Sequence, residues 1–443
     1  MDGQSTYQVP YIYGKIKNIR ENDPLTVTVP GSKSITNRAL LLATLAKGTS
    51  LLKGVLFSDD SRYFLKCIQN LGFETKVDEA EKTVSVQGLG GPLPYASARQ
   101  YVGSAGTAAR FLTAYLGVSH GVFFMDASEQ MRRRPMAPLL NALEELGCQF
   151  FFRPQDTPGQ FPFFLRGHGF KKNHITVNID HSSQFLSALL IASCLSEQDF
   201  TTNIEGTHGM AYIEMTLKMM EQFGVTVERP TPSSFFTKAG QKYRPLEYGI
   251  EPDVSAACYF YAMSPLLNIP VLVRQVHFDS LQGDVTFLRL LEQMGCRACD
   301  TPEGILLCPP ADGIFHGIEA DMSACSDQAI TLAAIAPYAA EPTTITGIGH
   351  IRFQESDRLS AMTMELTKMK VRCDADEDSI TVYPGKPSPA LIETYDDHRM
   401  AMGFALTGLR SEGIVINDPG CCRKTFEEYF DVLDSVADKL RVQ

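Results

Sequence analysis

GSKSITNRALLLATLA, residues 31–46, places a glycine and a cluster of hydroxyl and basic side chains ahead of an unbroken Ala/Leu run. Small hydroxyl residues before an apolar run are helix-start chemistry, so the stretch predicts a buried helix with a polar N-terminus. The same design recurs five times: GSAGTAARFLTAYLG from Gly103, HSSQFLSALLIASCL from His181, PDVSAACYFYAMSPLL from Pro252, SDQAITLAAIAPYA from Ser326 and DHRMAMGFALTGL from Asp397. With Ser34, Gly106, Ser183, Asp253, Asp327 and His398 as anchors, the separations are 72, 77, 70, 74 and 71 residues. That regularity predicts six copies of one unit.

A second, amphipathic helix recurs in phase, in SRYFLKCIQNLG, MAPLLNALEELG, YIEMTLKMMEQFG, VTFLRLLEQMG and LSAMTMELTKMK. Its stop residues, Gly72, Gly147, Gly224, Gly295 and Lys370, lie 75, 77, 71 and 75 apart. Glycine there suits a left-handed cap. Residues 83–87, 175–179 and 379–383 alternate as half-buried strands do. A unit of strands plus two helices exceeds the roughly 20–50 residues of solenoid repeats, so six units are expected to group as two domains of three. The expected class is α/β (α+β). Pro and Gly mark crossings near 29–31 and 250–252, giving one domain of residues 31–250 and another of 1–30 plus 251–443. The N-terminal arm is assigned to the latter because the sixth unit otherwise lacks a partner strand.

At 443 residues the chain exceeds one ordinary core. No apolar run approaches the roughly 20 residues of a membrane span, and residues 1–6 carry no basic-then-apolar leader. The expected location is cytoplasmic, with no membrane partner. Eleven scattered cysteines are not a disulfide framework; Cys296-x-x-Cys299 invites a zinc reading, but only Cys308 stands near as a third ligand, and reduced thiols are expected. A net charge of −11 argues against a nucleic-acid surface and makes local clusters of Lys and Arg more informative.

Such clusters sit at the helix starts: Lys33 and Ser34; Ser104, Gly106 and Thr107; Ser182, Ser183 and Gln184; Asp327; His398 and Arg399. Free N–H groups and the helix dipole favour anions there. Singly, each has a plainer reading. Hydroxyls and acids are ordinary caps, Gly103–Thr107 lacks Walker spacing, Arg132–Arg134 suits a solvated turn, and Gln354–Arg358 suits a cap ahead of an exposed helix. Tyr395–Arg399 is harder to dismiss, with four ionisable groups ahead of an apolar helix.

VPGSKSITNRALLLA, GSAGTAARFLTA, SSQFLSALL, ESDRLSAMTMELTKM, TYDDHRMAMGFAL and DPGCCRKTFEEYF together resemble, in order and spacing, the signatures of the 5-enolpyruvylshikimate-3-phosphate synthase family. The resemblance spans about Val29 to Tyr429. It implies two similar domains of three βαβ-type repeats, helices inside and sheets outside, with the active site in the cleft between them. It implies transfer of the enolpyruvyl group of phosphoenolpyruvate to the 5-hydroxyl of shikimate-3-phosphate, by addition and elimination with release of phosphate. The matching donor-binding positions are Lys33, Gly106, Arg134, Gln184, Arg358, Arg399 and Lys424. Acceptor-binding positions are Lys33, Ser34, Arg38, Ser182, Ser183, Gln184, Asp327 and Gln354. Glu355 is the implied acid/base at C3, Asp327 with Lys33 serves the hydroxyl, and His398 orients Glu355 or carries charge. No metal or cofactor is called for, because phosphate leaves and cations neutralise it. A monomer that closes on its ligands is expected.

The chain departs from the family pattern at Gln354 (often a phosphate-contacting lysine), Gly209 (often a serine), Ser104 (often asparagine) and Phe111 (often proline). Arg352, His181 and His208 are candidates to replace the missing charge. The departures keep open a different hydroxyl acceptor. An inactive binding module is the third reading, opposed by the retained set Lys33, Arg134, Asp327, Glu355, Arg358, His398, Arg399 and Lys424.

Overall fold

The six Ala/Leu-rich runs form helices over Lys33–Leu45, Gly106–Val118, Gln184–Ser193, Val254–Leu267, Ala329–Ile335 and His398–Arg410. Being apolar around most of their circumference, they are buried along nearly their whole length. A computed structural model describes residues 5–442; residues 1–4 and 443, including most of the stretch read above for a leader, lie outside it. The fifth run differs from expectation at its start. Ser326–Gln328 is a 3-10 turn and the α-helix begins only at Ala329, so Asp327 sits on a tighter turn.

The amphipathic helices run Asp59–Asn70, Ala137–Glu145, Met210–Gln222, Phe287–Gln293, Arg358–Lys368 and, as a sixth copy, Tyr429–Leu440. The first five end where predicted: Gly72, Gly147, Gly224 and Gly295 have φ of +94, +102, +94 and +105°, and Lys370 takes the same left-handed turn at +60°. Helix Arg358–Lys368 is amphipathic as its repeat predicts, and the plainer alternative of an exposed helix does not hold. It buries Arg358 and Glu365, the latter accepting from Tyr395 Oη at 2.6 Å and from the Glu393 N–H at 3.2 Å.

The chain divides into two compact units, Gly31–Ile250 and Met1–Pro30 with Glu251–Gln443. In the continuous unit three sheets repeat one order: a parallel pair, then two antiparallel strands. The second sheet shows it without interruption: Ser97–Tyr101 lies parallel to His120–Asp126, which is antiparallel to Phe163–His168, itself antiparallel to Gln149–Phe151. A buried helix crosses over between the parallel strands, as parallel pairing requires. In the first sheet the parallel partner of Lys47–Lys53 is Glu247–Gly249, from the far end of the segment.

The split unit repeats the pattern with strands borrowed from the N-terminal arm. Leu25–Val27 lies parallel to Val271–Arg274, and Thr6–Gln8 lies antiparallel to Ile414–Asn417, completing a three-stranded sheet. Strands Thr83–Leu89, Phe163–His168 and His174–Asn178 alternate buried with more exposed residues while the long helices are buried throughout, so helices lie inside and sheets outside. Among the described residues no helix is long and apolar enough to cross a membrane.

Candidate functional site

The predicted residues fall into two clusters, one per unit. In the continuous unit Ser32 caps helix Lys33–Leu45, its Oγ accepting from the Ile35 N–H at 3.5 Å. That start carries Lys33, whose Nζ lies 3.4 Å from the buried Asp60 carboxylate; the Ser104 hydroxyl donates to the same carboxylate at 3.4 Å. Sequence reasoning assigned no role to Asp60. An acid in the first turn of a helix reads as dipole compensation, and nothing local marks it as a counter-ion.

Gly106 opens the second helix without a side-chain cap. A Cβ there would lie 2.8 Å from Arg110 Nη1 and 2.9 Å from Arg134 Nη1, so only glycine lets two guanidinium groups lie against this helix start. Arg110 is anchored by its bonds to the Gly106 and Pro135 carbonyls, at 3.3 and 2.9 Å. The Arg132–Arg134 run is therefore no uniform solvated turn. Arg132 pairs with Asp126 and Arg133 with Glu129, while Arg134 is half-buried against Gly106. At the third helix the Gln184 N–H donates to Ser182 Oγ at 3.3 Å, and Ser183 is buried. Gly209, with φ of +68°, approaches so closely that a Cβ would meet Ser183 Oγ at 2.5 Å. A serine there would be strained in its backbone and would displace Ser183.

Arg38 is only 1% exposed. Its Nε donates to Thr216 Oγ1 at 2.8 Å, Nη1 to the Ser34 carbonyl at 3.0 Å and Nη2 to the Tyr212 carbonyl at 3.3 Å, and it stacks 5.2 Å from the Phe111 ring centre. Burial pushes its pKa down to about 10. Three of its five N–H groups are thus taken within the unit.

The split unit gathers the ionic cluster. Arg358, 1% exposed, is its hub. Nε and Nη2 donate to Asp397 at 2.8 and 3.2 Å, Nη1 to Asp327 at 3.0 Å and to the Gln354 side-chain carbonyl, and Nη2 to Glu355 at 2.9 Å. Burial works against its charge, but Asp397, Glu355 and Asp327 hold it above the usual arginine range. Arg399 Nη2 donates to Asp327 Oδ2 at 2.7 Å and Lys424 Nζ lies 3.1 Å from Glu355 Oε1. His398, 2% exposed at the start of its helix, has Nδ1 3.7 Å from Asp397 Oδ1. Burial pushes the neighbouring Asp396 carboxyl up.

Two members of this cluster were given no role from the sequence, although Asp397 lies in the Tyr395–Arg399 stretch singled out there. Asp397, at 0% exposure, accepts from Arg358, from Ser356 Oγ at 3.0 Å and from the Arg399 N–H at 3.0 Å. Its place before a helix hides it as an N-cap. Asp284, in the 3-10 turn Gly283–Thr286, lies behind Asp327 and Arg399, and no periodicity marks it. The remaining candidate is zinc. Cys296 and Cys308 are buried and Cys299 half-buried, and no group of three or more His, Cys, Asp or Glu suited to a metal ion occurs among the described residues.

Cations and hydroxyls on the starts of buried helices, with carboxylates interleaved among them, have the chemistry of sites for small anionic ligands. Comparison with known proteins shows the family. The family model "EPSP synthase (3-phosphoshikimate 1-carboxyvinyltransferase)" matches residues 21–433. A 3-phosphoshikimate 1-carboxyvinyltransferase of Trichormus variabilis is 42% identical over 406 residues, covering 91% of this chain and 94% of the relative. One of Halalkalibacterium halodurans is 36% identical, covering 94% and 93%. The solved EPSP synthase of Acinetobacter baumannii superposes with a TM-score of 0.78 at 23% identity, over 99% and 98% of the two chains, a likeness of fold. The chain belongs to the EPSP synthase family.

Proposed function

We propose that this chain is a cytoplasmic, monomeric transferase that moves the 1-carboxyvinyl group of phosphoenolpyruvate to the 5-hydroxyl of shikimate-3-phosphate, releasing phosphate. Family membership over 21–433 supports the reaction. The observation that carries the chemistry is the ionic cluster, in which Arg358, Arg399 and Lys424 each contact a carboxylate, Asp327 or Glu355. Cations suited to an incoming carboxylate and phosphate are neutralised, before the ligand arrives, by the very groups proposed to move protons. Donor binding then exchanges those ion pairs, freeing Asp327 and Glu355.

In this reading Lys33, Gly106, Arg134, Gln184, Arg358, Arg399 and Lys424 bind phosphoenolpyruvate. Arginines take its carboxylate bidentately, and lysines meet phosphate oxygens as point charges. Ser34, Arg38, Ser182, Ser183, Gln184 and Gln354 bind the acceptor. As the acceptor oxygen bonds to C2, Asp327 with Lys33 takes the hydroxyl proton and Glu355 delivers a proton to C3. Phosphate then leaves C2 with the bonding electrons as a C3 proton returns to Glu355, which restores the vinyl group. His398 orients Glu355 or carries charge, and the cations stabilise the departing phosphate.

Gly209 and Gln354 favour one second reading, a different hydroxyl acceptor. The glycine cannot give way to a serine without displacing Ser183, and the Gln354 carbonyl is turned to Arg358. The test is phosphate release from purified protein with phosphoenolpyruvate and shikimate-3-phosphate. Release supports the proposal. Release with another alcohol alone establishes the second reading, and silence with every acceptor defeats both.

A further inference from the structure

Asp284 is a buried carboxylate of the cluster to which the proposed reaction gives no role. One of its oxygens, Oδ2, accepts from the Ser255 hydroxyl and from Gln328 Nε2 at 3.4 Å. Gln328 is itself oriented, because its carbonyl accepts from Thr331 Oγ1 at 3.0 Å. Ser255 has a single proton, and it is committed to Asp284. Its lone pairs are left for Arg399 Nη2, which donates to them at 3.4 Å while donating to Asp327 at 2.7 Å. The result is a directed chain from Asp284 through Ser255 and Arg399 to Asp327.

We infer that Asp284 is a positioning residue for the transfer: by fixing the Ser255 hydroxyl it holds the Arg399 guanidinium beside Asp327 and aims it at the reacting anion. The inference rests on the roles proposed above for Arg399 and Asp327. A mobile guanidinium would follow whichever anion is nearest; one held from behind by an acceptor that no ligand displaces keeps its direction when Asp327 releases it.

The groups facing Asp284 from its neighbours are Asp253, Ser255 and Cys258 of one helix start, Cys325, Asp327 and Gln328 of the adjoining turn, and Arg399 of the sixth buried helix. Burial, then the charge of Asp327, pushes the Asp284 carboxyl up to about 6, so the chain of bonds loses its charged anchor in mildly acid solution.

The experiment compares wild type, Asp284→Asn, Ser255→Ala and the double variant by phosphate release at saturating acceptor. Asparagine keeps the shape and an accepting oxygen but not the charge. Each single variant should lower kcat/KM for phosphoenolpyruvate on the order of tenfold, the scale of one hydrogen bond to a charged group. The double variant should be no worse than the weaker single, because both act through one path. Substrate phosphates titrate near pH 6 in every sample, so the diagnostic signal is the difference between proteins: an acid limb near pH 6 present in wild type and absent in Asp284→Asn. Multiplying effects, or an acid limb unchanged in Asp284→Asn, would overturn the inference. Ser255→Ala with wild-type kinetics would overturn it too, and that variant decides the question should Asp284→Asn not fold. Absence of phosphate release from wild type would instead defeat the proposed function.

Discussion

Replacing Gly106 with alanine adds one methyl group where two guanidinium groups press against a helix start. Its Cβ would lie 2.8 Å from Arg110 Nη1 and 2.9 Å from Arg134 Nη1, whereas ordinary contact begins at 3.4 Å. Both groups must retreat by about half an ångström. Arg110 is buried and tied to two backbone carbonyls, so it shifts only slightly and the larger displacement falls on the half-buried Arg134. If Arg134 holds the donor's charge, that displacement weakens one charge-assisted pair, about 1.5–3 kcal/mol or roughly 10–100-fold. The backbone itself accepts alanine, since Gly106 has no positive φ, and alanine in a helix is favoured over glycine by about 1 kcal/mol. Steady-state phosphate release should therefore show KM for phosphoenolpyruvate raised at least roughly tenfold, KM for the acceptor near wild type, and a melting temperature within a few degrees of wild type. An unchanged donor KM would refute the placement of Arg134 in the donor site; a collapse of the melting temperature would refute the local character of the clash.

Glu355→Gln should abolish turnover while calorimetry still detects phosphoenolpyruvate binding; ordinary turnover would remove Glu355 from acid/base work. Arg358→Met strands the fully buried Asp397 and should destabilise the protein by about 3–5 kcal/mol in denaturant titrations; a loss below about 1 kcal/mol would show that the hub is dispensable for folding. Asp284 also makes a stability prediction. Its carboxyl is raised from 3.8 to about 6 on folding, so its contribution is fully present below pH 3.8 and lost as pH rises through 6. Asp284→Asn removes that dependence, and relative to wild type it should gain on the order of 3 kcal/mol between pH 4 and pH 7.5. An equal stability difference at the two pH values would contradict the buried environment assigned to Asp284.

The helices, their period and their stops were legible because local chemistry sets them: an apolar run must be buried, and a chain leaving a helix at Gly72 or Gly147 needs a left-handed residue. Lys370 was found by period alone, since lysine gives no stop signal. The three-residue strands Thr6–Gln8 and Leu25–Val27 are too short to show alternation, and their partners lie hundreds of residues away. The candidate cations stood out by residue type against an acidic background, and their counter-ions did not. Asp60 and Asp397 read as helix-start acids, and Asp284 has no pattern. Helix Arg358–Lys368 is amphipathic as its sequence reads, but the burial of Arg358 and Glu365 was not legible because their partners, Glu355 and the Glu393 N–H, lie outside the helix.

The borrowed strands have a consequence for biosynthesis. A ribosome releases the N-terminal arm first, yet Leu25–Val27 waits for residues 271–274, and Thr6–Gln8 for residues 414–417. At roughly 5–20 residues per second the second wait lasts about 20–80 s, in which the continuous segment 31–250 can complete its three sheets while the arm stays unpaired. Nascent chains stalled after residue 250 should therefore shield their interior from protease while the arm is still cleaved. The final pairing, of Thr6–Gln8 with Ile414–Asn417, closes a loop of about 400 residues and is the natural candidate for the slowest phase of refolding.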